Sequence, residues 1–244
     1  MKNDDGQPGR RLTRRQVLTL IGAGGASLAS GALARRALAQ ASTTVPPCVV
    51  RPQQTEGPYF VDERLLRSDI RSDPATGAAK AGVPLFVSFS VSRITSAVCA
   101  PLSGVQVDLW QCDAAGVYSD VRDAGGSTVG QKFLRGYQIT DANGMATFTT
   151  IYPGWYRGRT VHLHFKLRAP ASGGRASEFT SQIYFDDALN DRILAQAPYA
   201  NRGRRDVRND QDGIFSRNGK RLMLPLAQEA QGYAGTFDIG LNVG

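Results

Sequence analysis

"PLFVSFSVSRI", residues 84–94, decides the fold. Leu85, Val87, Phe89 and Val91 recur at every second position, with Ser88 and Ser90 between them. A period of two puts the apolar four on one face of a strand and the serines on the other, the pattern of a sheet buried on one side. The same alternation runs through Val105, Val107 and Leu109 in "GVQVDLWQCDA" (104–114). It returns in "MATFTTIYP" (145–153), "TVHLHFKLRA" (160–169), "TSQIYFDD" (180–187) and "AGTFDIGLNV" (234–243), each bounded by turn residues. Asp141-Ala142-Asn143-Gly144 is a hairpin-like turn signal. The one stretch with helical spacing is "ALNDRILAQA", 188–197. Short alternating strands separated by turns predict an all-β protein, an antiparallel β-sandwich filling residues 84–244.

The flanks read differently. Residues 40–83 are rich in Pro, Gly and Asp and lack periodicity, which predicts an extended N-terminal arm packed on the core, with a short helical turn near Glu63–Leu66. Residues 1–39 read as a leader. "RRLTRRQVL" precedes a small-residue apolar run, Val17–Leu33, and an Ala37-Leu38-Ala39 cleavage pattern. Gly and Ser interrupt that run, so a permanent membrane span is not expected. "TRRQVL", Thr13–Leu18, is similar to the twin-arginine export signal of bacteria, which carries folded cargo to the periplasm or otherwise out of the cytoplasm. The export machinery is the partner that this implies.

Charge adds little beyond the leader. The net +8 invites a nucleic-acid reading. However, Lys2, Arg10, Arg11, Arg14, Arg15, Arg35 and Arg36 stand against only Asp4 and Asp5 in the first 39 residues, so most of the excess lies there. No basic stripe interleaved with aromatics follows, and no nucleic-acid partner is expected. Cys48, Cys99 and Cys112 match no zinc-ribbon spacing, and an oxidising destination favours one disulfide and one thiol. "CAPLSGVQVDLWQC" reads as a hairpin turning near Pro101–Gly104. At about 3.3 Å per residue that separates Cys99 from Cys112 beyond the roughly 7 Å a bridge allows, and leaves Cys48–Cys99 as the expected pair.

The chain's two histidines, His162 and His164, stand at i and i+2 of one strand. Both imidazoles therefore project from one face and can reach one metal ion. The remaining ligands must be carboxylate, thiolate or phenolate. Asp113, Asp120, Cys112, Tyr118, Tyr137, Tyr152 and Tyr156 are all candidates, and composition does not choose among them. A phenol, with an ordinary pKa near 10, ligates at neutral pH only beside a strongly Lewis-acidic cation such as Fe(III).

"TEGPYF" (55–60), "GVQVDLWQCDAAGVYSD" (104–120), "FLRGYQITDANGMATFTTIYPGWY" (133–156), "GRTVHLHFKL" (158–167) and "TSQIYFDD" (180–187) narrow the choice. In this order they resemble the intradiol ring-cleavage dioxygenases. The resemblance implies a β-sandwich and a non-haem Fe(III) held by Tyr118, Tyr156, His162 and His164. It places Arg159 beside the substrate and Gln182 near the metal. The segment between Tyr156 and His162 is shorter than is usual in that family and holds both Arg157 and Arg159, of which Arg159 is preferred. Tyr59 is expected at the pocket mouth, and Trp110 and Tyr184 in the core. The implied reaction is cleavage of a catechol-type ring by O2 to a cis,cis-muconate-type product, with Tyr156 leaving the metal as a substrate proton arrives. The rival readings are a non-catalytic binding module and a zinc or copper enzyme using the histidine pair. The catechol's substituents and the oligomeric state stay open.

Overall fold

The computed structural model describes residues 49–95, 99–123, 126–172 and 175–243. The leader and Cys48 lie outside them. β1 (Pro84–Ile94) is the spine of the first sheet. One edge of β1 pairs with β11 (Gly232–Leu241), which pairs in turn with β10 (Ala227–Glu229). The other edge is shared by β7 (Met145–Ile151) and β2 (Cys99–Pro101). The second sheet runs in the order β6 (Arg135–Ile139), β3 (Gln106–Trp110), β8 (His162–Ser172), β9 (Arg175–Tyr184). A small ladder, β4 (Arg122–Asp123) with β5 (Gly126–Ser127), stands apart.

The core lies between the two sheets. Leu85, Val87, Phe89 and Val91 are buried, as their spacing predicts. Phe89 meets Phe165 of β8 at 5.3 Å between ring centroids, and Phe165 meets Phe237 of β11 at 5.3 Å. The architecture is an all-β sandwich with one departure from the antiparallel expectation: β1 and β11 pair parallel, Leu85 opposite Tyr233 through Arg93 opposite Leu241. Strands this distant in sequence share no turn whose chemistry would reveal their direction.

Two expected hairpins are instead crossings between sheets. β2 pairs with β1, whereas β3 pairs with β6 and β8, so the chain changes sheet at Leu102–Val105. The turn at Asp141–Gly144 likewise carries β6 of one sheet into β7 of the other. Turn residues fix a reversal but not the sheet that receives the next strand. Cys99 is disulfide-bonded and Cys112 is free and buried, so these two are not joined to each other.

Residues 49–83 lie extended across both sheets. Gly240 N–H donates to Val49 O (2.8 Å), Gln54 N–H to Thr180 O (3.1 Å), Tyr137 N–H to Leu65 O (2.8 Å) and Tyr152 N–H to Val83 O (2.7 Å). The helical turn expected at Glu63–Leu66 is absent: Arg64 has φ 51°, and Leu66 bridges Tyr137. A single turn gains too few internal bonds to repay nucleation, and the strand edge offers this backbone better partners. The helix expected at 188–197 is α1, Asp187–Leu194. Asp186 caps it by accepting from Ala188 N–H and Leu189 N–H, and Pro198 follows its last residues.

Candidate active site

The site lies on the face of the second sheet that points away from the core. Register sets one transverse row across four strands: Arg135 opposite Trp110, Trp110 opposite His164, His164 opposite Gln182. Residues paired across strands share a face, and His162 stands one step along β8 on the same side. Trp110 stacks on His164 with centroids 5.1 Å apart and planes at 10°. Trp110 is buried, but not in the core between the sheets as expected: it stands on the outer face with Cys112 and Tyr118 and forms a wall of the site.

Two loops bring the tyrosines. Tyr118 follows a tight turn in which Asp113 Oδ1 accepts from Ala115 N–H and Val117 N–H, while Asp113 Oδ2 pairs with Lys80 of the arm at 2.8 Å. Tyr156 ends the loop that leaves β7. The two loops lock backbone to backbone: a Cβ on Gly154 would sit 2.5 Å from Asp113 O, and one on Gly116 2.3 Å from Trp155 O. Only glycine permits that approach. The arm closes the site from above. Gly57, at φ +75°, brings its backbone against the His164 ring, and Tyr59 stacks on Tyr118 at 4.5 Å and 21°.

Tyr118, Tyr156, His162 and His164 converge. His162 Nε2 lies 3.0 Å from His164 Nε2 and 3.1 Å from the Tyr156 hydroxyl. The Tyr118 ring is 5.7 Å from Tyr156 and 6.1 Å from His164. His162 Nδ1 is 2.6 Å from Thr160 O, an acceptor, so Nδ1 carries the proton and Nε2 presents a lone pair. The Tyr118 hydroxyl is buried without a hydrogen-bond partner. Burial pushes His162 down to about 3 and His164 well below its ordinary value, so both imidazoles are neutral ligand forms. Burial also raises both phenols, against the pull of Arg159. Phenols so raised keep their protons at neutral pH, and only a strongly Lewis-acidic cation can draw a phenol into ionising and ligating. Among the described residues no three His, Cys, Asp or Glu side chains gather to hold a metal, and the polar side chains beside the histidine pair include the two tyrosines.

Arg159 joins the cluster. Its Nη1 is 3.5 Å from His162 Nε2, Nη2 donates to Gln182 Oε1 at 2.6 Å, and Nε pairs with Asp212 Oδ2 at 2.8 Å. Asp212 is buried. Burial works against its charge, but Thr160 N–H, Phe215 N–H and Arg159 hold its carboxyl below the usual range. Arg157 is exposed and makes no such contact, so Arg159 is the arginine that faces the site. Gln182 also donates to Thr55 O, and the Tyr184 hydroxyl lies 2.9 Å from Gln182 Oε1.

The other candidates, Cys112 excepted, lie elsewhere. Tyr152 bonds Asn190, Tyr137 sits on β6 beside the arm, Asp120 accepts from Gly130 N–H, and Asp113 shapes its turn. Cys112 packs beside Tyr118, with burial pushing its thiol far up. Asp212 and Arg135 carry no motif and escaped the sequence reading. A hollow of about 680 Å³ between Asp191 and Arg208 contains none of the converging residues.

Comparison with known proteins agrees with this geometry. The Dioxygenase_C family model, described as Dioxygenase, matches residues 55–215, a span that holds every side chain of the cluster. The protocatechuate 3,4-dioxygenase beta chain of Burkholderia cepacia is 30% identical over 179 residues, 70% of this chain and 71% of that protein. An intradiol ring-cleavage dioxygenase from Tetranychus urticae superposes with TM-score 0.68 at 30% identity, over 80% of this chain and 95% of that one. The dioxygenase domain of a carbohydrate-binding fusion protein from Streptomyces sp. SirexAA-E superposes with TM-score 0.56 at 31% identity, over 80% and 99%. The chain belongs to the intradiol ring-cleavage dioxygenase family.

Proposed function

We propose that this chain is a non-haem Fe(III) enzyme that cleaves a catechol-type ring with O2 between its two hydroxyl-bearing carbons, giving a cis,cis-muconate-type product that holds both oxygen atoms. One observation carries the reading: two neutral imidazole nitrogens meet the Tyr156 hydroxyl with the Tyr118 ring beside them, and among the described residues no group of three His, Cys, Asp or Glu side chains offers a metal another site. Phenolate oxygens suit a hard trivalent cation, and the orphaned Tyr118 hydroxyl gains a partner from one. Ferric iron, when bound, supplies the Lewis acidity that favours the catechol dianion and couples it to O2.

The protein residues do the rest. Tyr118, His162 and His164 are buried and serve as the fixed ligands. Tyr156 is the less buried tyrosine; as a phenolate beside ferric iron it would be the base, its oxygen accepting a catechol proton and becoming a neutral phenol. Arg159, fixed by Asp212 and Gln182, sets a preorganised positive charge beside the substrate anion. Gln182 thereby serves the reaction through Arg159. The leader, residues 1–39, directs twin-arginine export, to the periplasm or beyond, with the arm at 40–83 and the catalytic sandwich at 84–244.

Metal analysis and an absorption spectrum of freshly purified protein test this reading. Iron with a visible tyrosinate charge-transfer band, and conversion of a simple catechol to an ultraviolet-absorbing muconate, are the expected results. Zinc or copper without that band, or a yellow semialdehyde as the main product, would overturn it.

A further inference from the structure

Arg135 is the charged member of the transverse row, and the proposed chemistry gives it no part. It opens β6 beside Trp110 and is only 2% exposed. No carboxylate among the described residues forms an ion pair with it. Glu63 and Asp120 act on it through space, against burial, which lowers its pKa. A guanidinium held this deep is costly unless its donors find acceptors. Arg135 finds them in two segments. Nε donates to Ser119 Oγ at 2.7 Å, Nη2 donates to Ser119 O, and Nη1 donates to Tyr59 O at 3.3 Å. The Ser119 hydroxyl passes the chain on by donating to Phe133 O at 2.6 Å.

Both segments bear on one side chain. Ser119 is the neighbour of Tyr118, and Tyr59 is the ring stacked on Tyr118. The Tyr118 hydroxyl has no partner in good hydrogen-bond geometry and faces only the Tyr156 hydroxyl, so its direction is set chiefly by its main chain and by the ring against its face. Arg135 holds both of these.

We propose that Arg135 is a positioning residue: one buried guanidinium locks the main chain beside Tyr118 to the arm segment carrying Tyr59, and so aims the Tyr118 oxygen at the histidine pair. This rests on Tyr118 as an iron ligand. Lysine does not replace it, because a single ammonium lacks the planar fork that reaches Ser119 and Tyr59 together.

The test uses the full chain with Arg135→Met, Arg135→Lys, Ser119→Ala and Tyr118→Phe. The readouts are near-ultraviolet circular dichroism of the metal-free protein, iron release to a chelator and the position of the visible band. Arg135→Met is expected to lose tyrosine dichroism, to release iron roughly 10–100-fold faster and to shift the band. Arg135→Lys follows it, and Ser119→Ala moves the same way by less. A folded Arg135→Met that only melts earlier, with dichroism and iron release as in the wild type, overturns the proposal. If Arg135→Met does not fold, Ser119→Ala decides: faster iron release supports the clamp, and wild-type release overturns it. If Tyr118→Phe keeps the wild-type band, the ligand reading is what fails; lost dichroism in metal-free Arg135→Met still supports the clamp.

Discussion

Tyr118 and Tyr156 differ in exposure, and the difference makes their substitutions separable. Tyr156→Phe should keep iron through Tyr118 and the two histidines, with a weaker, shifted colour. Its anaerobic catechol complex should match the wild type, since the missing ligand is absent from both. Turnover should fall about 10²–10⁴-fold with the base gone. Tyr118→Phe should instead alter the catechol complex itself and weaken iron retention. Spectra affected the other way round would reverse the assignment. Asp212→Asn removes the charge that fixes Arg159 and should lower kcat about 10–100-fold with iron content unchanged. An unchanged kcat would show that Gln182 alone orients the guanidinium. At this scale the histidine pair was legible because strand periodicity puts i and i+2 on one face. The tyrosines were legible only through family likeness, since several others competed on spacing alone. Asp212 was not legible: it meets Arg159 across 53 positions, from an irregular tail with no local period to mark it.

Among the elements, strands were legible where one face is apolar. Their outer faces were not. His162, His164, Lys166 and Arg168 alternate along β8 as a solvated face would, yet Lys166 is 8% exposed and pairs with Glu56 of the arm. Alternation reports polarity and is silent about what covers it. Asp108 of β3, opposite Lys166, shows the consequence. Arg168 at 3.3 Å favours its charged form, but burial outweighs that and raises its pKa to about 6. Unfolded, an aspartate titrates near 3.9. Between those values the folded chain binds the extra proton, so this contribution to stability is complete below about pH 4 and is lost as pH rises through about 6. Asp108→Asn should therefore raise the melting temperature relative to wild type at pH 8 and leave little difference at pH 4. Melting curves across that range check it, and equal profiles would mean the carboxyl titrates normally.

For the molecule as a whole, β11 completes the first sheet. It lies between β1 and β10 and aligns nine residues with β1, from the opposite end of the sandwich's sequence. Phe237 and Ile239 are fully buried there. A chain stopped at Gln231 loses this strand and leaves a long edge of β1 bare. It should accumulate as insoluble material without near-ultraviolet dichroism; a soluble truncated chain with native signals would contradict the pairing. The same feature sets a schedule. Local contacts form as a chain emerges from the ribosome, but a sheet closed by its most distant segment has to wait, and folds slowly once it can. Until then an unpaired edge is open to aggregation and to chaperones. An export route that admits only folded cargo, as proposed for the leader, would thereby act as a proofreader, rejecting any copy whose synthesis had stopped short.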